Sequence, residues 1–264
     1  MWSKIKSRAK NFYGRGRAVA GIGKYWVRGT FPPAVIYQMG SVGSTALRNS
    51  LRKSYPGFVL RTHVFGGDTG SPVVNTICRF CISGGAKLKI ISMVRDPISY
   101  NVSRFFANAP HHTDVPLQDW PENVDELNDV DGLIQQFLDR FSHERVLHWF
   151  DSWGEKIGVD VYRHSFPEEG NLVIGNENTE VLIYRLEIPD EAKETAVETF
   201  LGLDDIKIER TNQGMEKPYA KKYSEFKNEF TPPEWYIEKM YNNRYFDHFY
   251  TEDHREQFIS KWKE

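Results

Sequence analysis

The 264-residue sequence predicts an α/β fold, a three-layer domain with a central, mainly parallel sheet and a helical C-terminal end. Three observations carry this expectation. Two segments rich in apolar residues, Ala34-Val35-Ile36-Tyr37 and Lys87-Leu88-Lys89-Ile90-Ile91-Ser92-Met93-Val94, each run directly into a helix start, as strands covered on both faces do. A glycine-rich turn, Gly40-Ser41-Val42-Gly43, joins the first of them to its helix. After Gly214 come three amphipathic stretches, near 217–229, 233–247 and 252–262.

Taken along the chain, the first strand (34–38) follows Pro32-Pro33. The helix after the turn opens on the hydroxyl residues Ser44 and Thr45, carries Leu47 and Leu51 on one face, and stops at Tyr55-Pro56-Gly57. Strands follow near 58–64 and 87–94. Asp96 suits the cap, and Pro97 the first turn, of the next helix, which leaves Arg95 at the carboxyl end of its strand. Val130, Leu133, Ile134, Phe137, Leu138 and Phe141 repeat at helical spacing. Further β segments are expected near 159–162, 171–175 and 180–185, with a helix over 189–201 between Pro189 and Gly202. The longest irregular connection, Pro110 to Pro121 with His111, His112 and Trp120, is a candidate acceptor-binding loop. With no repeat, low-complexity tract or long linker, the expected organisation is a basic amphipathic arm over 1–30 and a single domain over 31–264.

The turn Gly40-Ser41-Val42-Gly43-Ser44-Thr45 carries the chemistry. Glycines let the backbone approach an anion, and the following helix offers unpaired N–H groups and the positive end of its dipole. A Walker A loop would place lysine where Gly43 stands, which disfavours an ordinary ATPase or GTPase and leaves a plain strand-to-helix turn as the structural alternative. In the second segment, Val94-Arg95-Asp96-Pro97, Arg95 sits where open α/β sheets bind ligands, and Ser103 lies two helix turns on, on roughly the same face. An arginine fork and a hydroxyl suit a phosphate. The alternative pairs Arg95 with Asp96 to hold the helix start.

Together the two segments resemble the sulfotransferases that use 3′-phosphoadenosine-5′-phosphosulfate (PAPS). The chain is most similar to bacterial capsular polysaccharide synthesis proteins related to carbohydrate sulfotransferases. The residues that carry this are Gln38-Met39-Gly40, Arg61-Thr62-His63-Val64, Val94-Arg95-Asp96-Pro97 with Asn101-Val102-Ser103, Trp149-Phe150-Asp151, Gly158-Val159-Asp160-Val161-Tyr162, Tyr184-Arg185-Leu186-Glu187 and His248-Phe249-Tyr250. The resemblance covers roughly 34–262 and implies a P-loop-like fold in which Gly40 to Thr45 hold the phosphosulfate and Arg95 and Ser103 the 3′-phosphate. Lys217, where such enzymes close a loop over the nucleotide, is a further donor contact, with a solvated helix face as the alternative. One departure stands out. The resemblance implies a lysine at position 41 to neutralise the departing oxygen, and this chain has Ser41; Arg48, one turn into the helix, is a substitute unless it lies along the helix surface.

Sulfuryl transfer also needs a base for the acceptor hydroxyl. His63 ends the second strand on the edge where the donor loop opens, and an imidazole titrating near pH of about 6.5 suits that task; the alternative is a histidine satisfied by neighbouring backbone. The expected function is therefore sulfuryl transfer from PAPS to a hydroxyl of a glycan or glycan precursor. The alternatives are a nucleotide-binding pseudoenzyme that lost its chemistry at Ser41, and a nucleotide-dependent phosphotransferase.

Composition narrows the partners. A formal net charge of −2 argues against a general nucleic-acid binder. Residues 1–30 carry eight lysines and arginines, no acid and interleaved aromatics, which suits either peripheral contact with an anionic membrane surface or a solvated arm packed on the domain. No apolar run approaches the ~20 residues that span a bilayer, and no signal-peptide core follows the early charges, so the expected location is cytoplasmic, with the inner membrane surface as an option through the arm. Cys78 and Cys81 have no second pair to complete a zinc site and read as buried or unmodified thiols, and the remaining histidines lack metal-ligand spacing, so no metal is expected.

Overall fold

A computed structural model describes residues 31–65, 72–84, 86–113, 129–208 and 218–263. The arm over 1–30, Lys217 and the part of the candidate acceptor loop beyond Thr113 lie outside these. The chain divides into two compact units. Among the described residues, the first takes 31–39, 46–65, 72–84, 86–93 and 151–208, and the second takes 40–45, 94–113, 129–150 and 218–263.

The first unit holds the sheet. Its strands are β1 (Ala34–Tyr37), β2 (Val59–Thr62), β3 (Leu88–Val94), β4 (Asn171–Gly175) and β5 (Thr179–Arg185), in the order β2-β1-β3-β5-β4. β1 runs parallel to β2, with Tyr37 opposite Thr62, and parallel to β3, with Ile36 opposite Ile91, while β4 and β5 form an antiparallel hairpin. Helices flank the sheet, giving the expected α/β architecture. All of β1 is buried, as are all but one residue each of β3 and β5, so both faces of the central strands are covered. The hairpin turns at Asn176, whose side-chain oxygen accepts from the backbone N–H of Asn178 and Thr179. Gly175 just before it admits no side chain, because a Cβ there would lie 2.3 Å from the Thr179 carbonyl oxygen.

Around the sheet lie α1 (Ser44–Ser54), α2 (Pro72–Gly84), α5 (Trp153–Ile157) and α6 (Asp190–Leu201); the second unit holds α3 (Pro97–Ala107) and α4 (Val130–Arg140). Tyr37 stacks on Trp153 at 4.9 Å between centroids and meets Phe65 on another side. Cys78 and Cys81 are buried thiols on α2; burial pushes Cys78 far above the usual thiol range and Cys81 up to about 11, so both stay protonated and inert. One expected strand is absent. Residues Val161–Arg163 form a 3₁₀ turn, because the Asp160 carboxylate accepts from Tyr162 N–H at 3.2 Å and so offers the backbone a local partner in place of a ladder.

The second unit is built on α3 (Pro97–Ala107), α4 (Val130–Arg140) and the terminal helices α7 (Ala220–Glu229), α8 (Glu234–Tyr241), α9 (Arg244–Phe249) and α10 (Glu252–Lys261). The stretch expected as one helix over 233–247 is two. Asn243 donates to the Met240 carbonyl at 2.9 Å and accepts from Phe246 N–H at 3.0 Å, closing α8 and capping α9 with one side chain. The core is aromatic: Phe105, Phe106, Phe137, Phe226 and Phe230 meet largely edge to face. Among the described residues no helix is long and apolar enough to cross a membrane.

His143 is embedded in this core. Its ring meets Phe137 and Tyr236 at 4.7 Å each, and its Nδ1 lies 2.9 Å from the Tyr236 hydroxyl. Burial lowers its pKa to about 4, against the opposing pull of the Phe137 and Leu138 carbonyls. Between pH 6.5 and 4 the unfolded chain therefore binds a proton at this residue that the native state refuses. The stability that neutral His143 contributes is complete above pH 6.5 and falls by about 3 kcal/mol as the pH drops to 4. Urea denaturation of the wild type and His143→Gln across this range should give a markedly flatter pH dependence for the variant; parallel curves would show that the imidazole does not titrate as its burial dictates.

Candidate phosphate-binding site

The turn after β1 winds tightly. Gly40, Ser41 and Gly43 take φ values of 94°, 51° and 75°, so three of its four residues occupy the left-handed side. Glycine does so without cost, whereas for Ser41 the conformation costs on the order of 1 kcal/mol and must be held by its surroundings. Val42 is fully buried and Ser44 nearly so; Ser41 and Thr45 are half-buried, and Gly43 is exposed. α1 then starts at Ser44 with no acidic residue in its first turn, leaving the positive end of its dipole unneutralised by its own side chains.

What holds the turn is Arg95. Its Nη1 donates to the Ser41 carbonyl at 2.7 Å, so the guanidinium joins the turn rather than Asp96. Arg95 is itself fixed through its backbone: the buried Tyr245 hydroxyl donates to the Arg95 carbonyl at 3.0 Å and receives its N–H at 3.1 Å. Since the guanidinium has five N–H donors, one bond to the loop leaves others for a ligand.

The next residue, Asp96, is fully buried and caps α3 as its sequence predicts, accepting from Ile98 and Ser99 N–H with Pro97 in the first turn. Its carboxylate also accepts from the Tyr241 hydroxyl at 2.9 Å and the Ser99 hydroxyl at 2.5 Å, while Lys261 Nζ donates to Ser99 Oγ at 2.8 Å. Ser103, two turns into α3, is half-buried with its Oγ 3.3 Å from the Tyr223 hydroxyl of α7. The second unit thus contains the loop, Arg95 and Ser103, and adds Tyr245 and Tyr223, which sequence reasoning left unassigned because nothing local marks a tyrosine that reaches back over a hundred residues.

His63 belongs to the first unit. It follows β2, is exposed, and places Nδ1 2.9 Å from the Gln38 backbone carbonyl. A carbonyl only accepts, so Nδ1 donates to it in the tautomer that leaves Nε2 as the basic nitrogen. Gln38 Nε2 also lies 3.0 Å from Nδ1, and it donates there in the opposite tautomer. Arg48, also in the first unit, is half-buried, with its pKa lowered by burial and then by the charges of Arg52 and Arg61, so it faces a cationic neighbourhood along α1 and β2. Among the described residues, no group of three histidine, cysteine or carboxylate side chains is arranged to hold a metal ion.

Residues 124–251 match the family described as "Putative capsular polysaccharide synthesis protein". The matched segment contains Tyr223 and Tyr245 and begins beyond the glycine loop, Arg95 and Ser103. No curated protein matches the chain, and no solved structure does. Over slightly less than half its length, the chain is similar to a family named for the synthesis of capsular polysaccharide.

Proposed function

We propose that this chain binds PAPS and moves its sulfuryl group to a hydroxyl of a glycan or glycan precursor. The observation that carries the reading is the bond from the Arg95 guanidinium to the Ser41 carbonyl, which joins the two sequence segments suited to phosphate within one unit. The name of the similar family supports a carbohydrate acceptor. In this reading the acceptor oxygen attacks sulfur, its proton goes to His63 Nε2, and the bond from sulfur to the bridging oxygen breaks to release 3′,5′-ADP. Gly40 to Thr45 with the head of α1 hold the phosphosulfate, while Arg95 and Ser103, with Lys217, hold the remainder of the nucleotide. Catalysis then rests on positioning and electrostatics, as in phosphoryl transfer.

Calorimetric titration tests donor binding. Arg95→Ala should weaken 3′,5′-ADP by roughly ten- to a hundredfold, the value of a charged hydrogen bond, and adenosine 5′-phosphate by much less. ATP and GTP titrated alongside address the phosphotransferase alternative, which tighter binding of either would favour. Equal losses for both adenosine nucleotides would make Arg95 a loop fastener only. His63→Ala should keep 3′,5′-ADP affinity and lose about 10² to 10⁴ in turnover of labelled PAPS; loss of nucleotide binding instead would remove it from the base role.

Ser41 supports a second reading, a nucleotide-binding protein without turnover. Negative charge grows on the bridging oxygen as sulfate leaves, and serine supplies at most one neutral hydrogen bond there. Ser41→Lys should raise transfer, or slow donor hydrolysis, by roughly one to three decades, the usual worth of one such group. A wild type that is already efficient and is slowed by lysine would assign the role to another cation; inactivity of both proteins would leave nucleotide binding alone.

A further inference from the structure

We propose that Arg104 and Arg145 form a subsite for the carboxylate of an acidic saccharide, so that the acceptor in the reaction proposed above is a uronate-bearing glycan. Arg104 lies on α3, half-buried, one turn after the buried Tyr100 and three residues after Asn101. Asn101 is fully buried and donates from Nδ2 to the His143 carbonyl at 3.1 Å, which ties the His143–Arg145 turn to this side of α3. Arg145, two residues beyond that carbonyl, is thereby brought to the same neighbourhood as Arg104, and it is exposed.

The charges agree with that placement. The Arg104 pKa is lowered by burial first; Tyr100 opposes this, and Arg145 adds to it by repulsion. Tyr100, raised by burial, feels the positive charges of Arg104, Arg145 and Arg95. Neither Arg104 nor Arg145 is paired with a carboxylate among the described residues, whereas Arg163 and Arg255 are. Two guanidinium groups held near one another, one of them partly out of water, repel until an anion joins them, and a planar carboxylate matches the guanidinium fork. The described start of the candidate acceptor loop, up to Thr113, lies near Arg104. His112, half-buried against Phe105 and Phe141, is depressed by burial, then by His111 and Arg104.

This assignment depends on the sulfotransferase reading for the acceptor role but not for binding, and calorimetry with trigalacturonate, maltotriose and inorganic phosphate separates the two. Trigalacturonate should bind the wild type, and Arg104→Gln or Arg145→Gln should each weaken it roughly ten- to a hundredfold, with part of the loss recovered in Arg145→Lys. Maltotriose should bind far more weakly and be indifferent to the substitutions, and 3′,5′-ADP affinity should be unchanged in all three variants. Arg145 is exposed, so its variants decide the matter should Arg104→Gln fail to fold. Unchanged trigalacturonate affinity in the variants, equal binding of maltotriose, or phosphate binding as tightly as trigalacturonate would overturn the proposal. So would a matching loss of 3′,5′-ADP, which would assign the arginines to the nucleotide. Arginine-dependent trigalacturonate binding by a wild type that ignores 3′,5′-ADP would sink the sulfotransferase reading and keep the subsite; the reverse pattern would keep the donor reading and sink the subsite.

Discussion

A carboxylate fully out of water must be met by donors, and Asp96 meets that demand with the first turn of α3, the Tyr241 hydroxyl of α8 and the Ser99 hydroxyl, which Lys261 of α10 also reaches. Each hydrogen bond to a charged group contributes about 1.5 to 3 kcal/mol, and losing one buried partner costs more than its own bond because the charge remains. The N-terminus of α3 can therefore occupy only one place relative to the two terminal helices. That constraint fixes Arg95 immediately before it, and Tyr245 fixes it again through the backbone.

The glycine loop depends on this chain of fixed points. Ser41 is held in a conformation that a side-chain-bearing residue resists, and the Arg95 bond to its carbonyl is the charged contact available to hold it there. Because the same guanidinium shapes the loop and retains donors for a ligand, loop geometry and anion affinity are coupled: an anion that draws Arg95 toward itself acts on the Ser41 peptide as well. A lysine at position 41 would add a second positive charge to the loop, whereas serine adds none. The loop then relies on backbone N–H groups, the α1 dipole and Arg95 for its positive potential.

Local signals were legible where local physics decides. Continuous apolar burial revealed β1, β3 and β5, and the Asp96-Pro97 pair gave both the cap and the first turn of α3. The misreadings share one cause, an Asx side chain competing for backbone. Asp160 turned an apolar β-like run into a 3₁₀ turn, and Asn243 split an amphipathic stretch that has one continuous periodicity in the sequence. Long-range polar partners left no signal at all: Asn101 gathers His143, Tyr236 and Met240 from positions far along the chain, and neither its neighbours nor its spacing distinguishes it from a surface asparagine. For the candidate site, residue types and order could be read, but the tyrosines that fasten Arg95 and meet Ser103 could not.

The arginines divide by what their donors do. Arg185 is buried, donates to the Glu168 carbonyl and packs close to Gly170, while Arg163 and Arg255 face carboxylates, so each has a structural account. Arg95 spends one donor on the loop, and Arg104 and Arg145 spend none on a carboxylate among the described residues. All three lie in the second unit and all three are felt by Tyr100. In a chain whose formal net charge is −2, acids are abundant enough to pair them, so a half-buried guanidinium left without one costs desolvation that folding alone does not recover. In the subsite proposed for Arg104 and Arg145, a ligand carboxylate would supply that anion and offset the desolvation that burial imposes on Arg104.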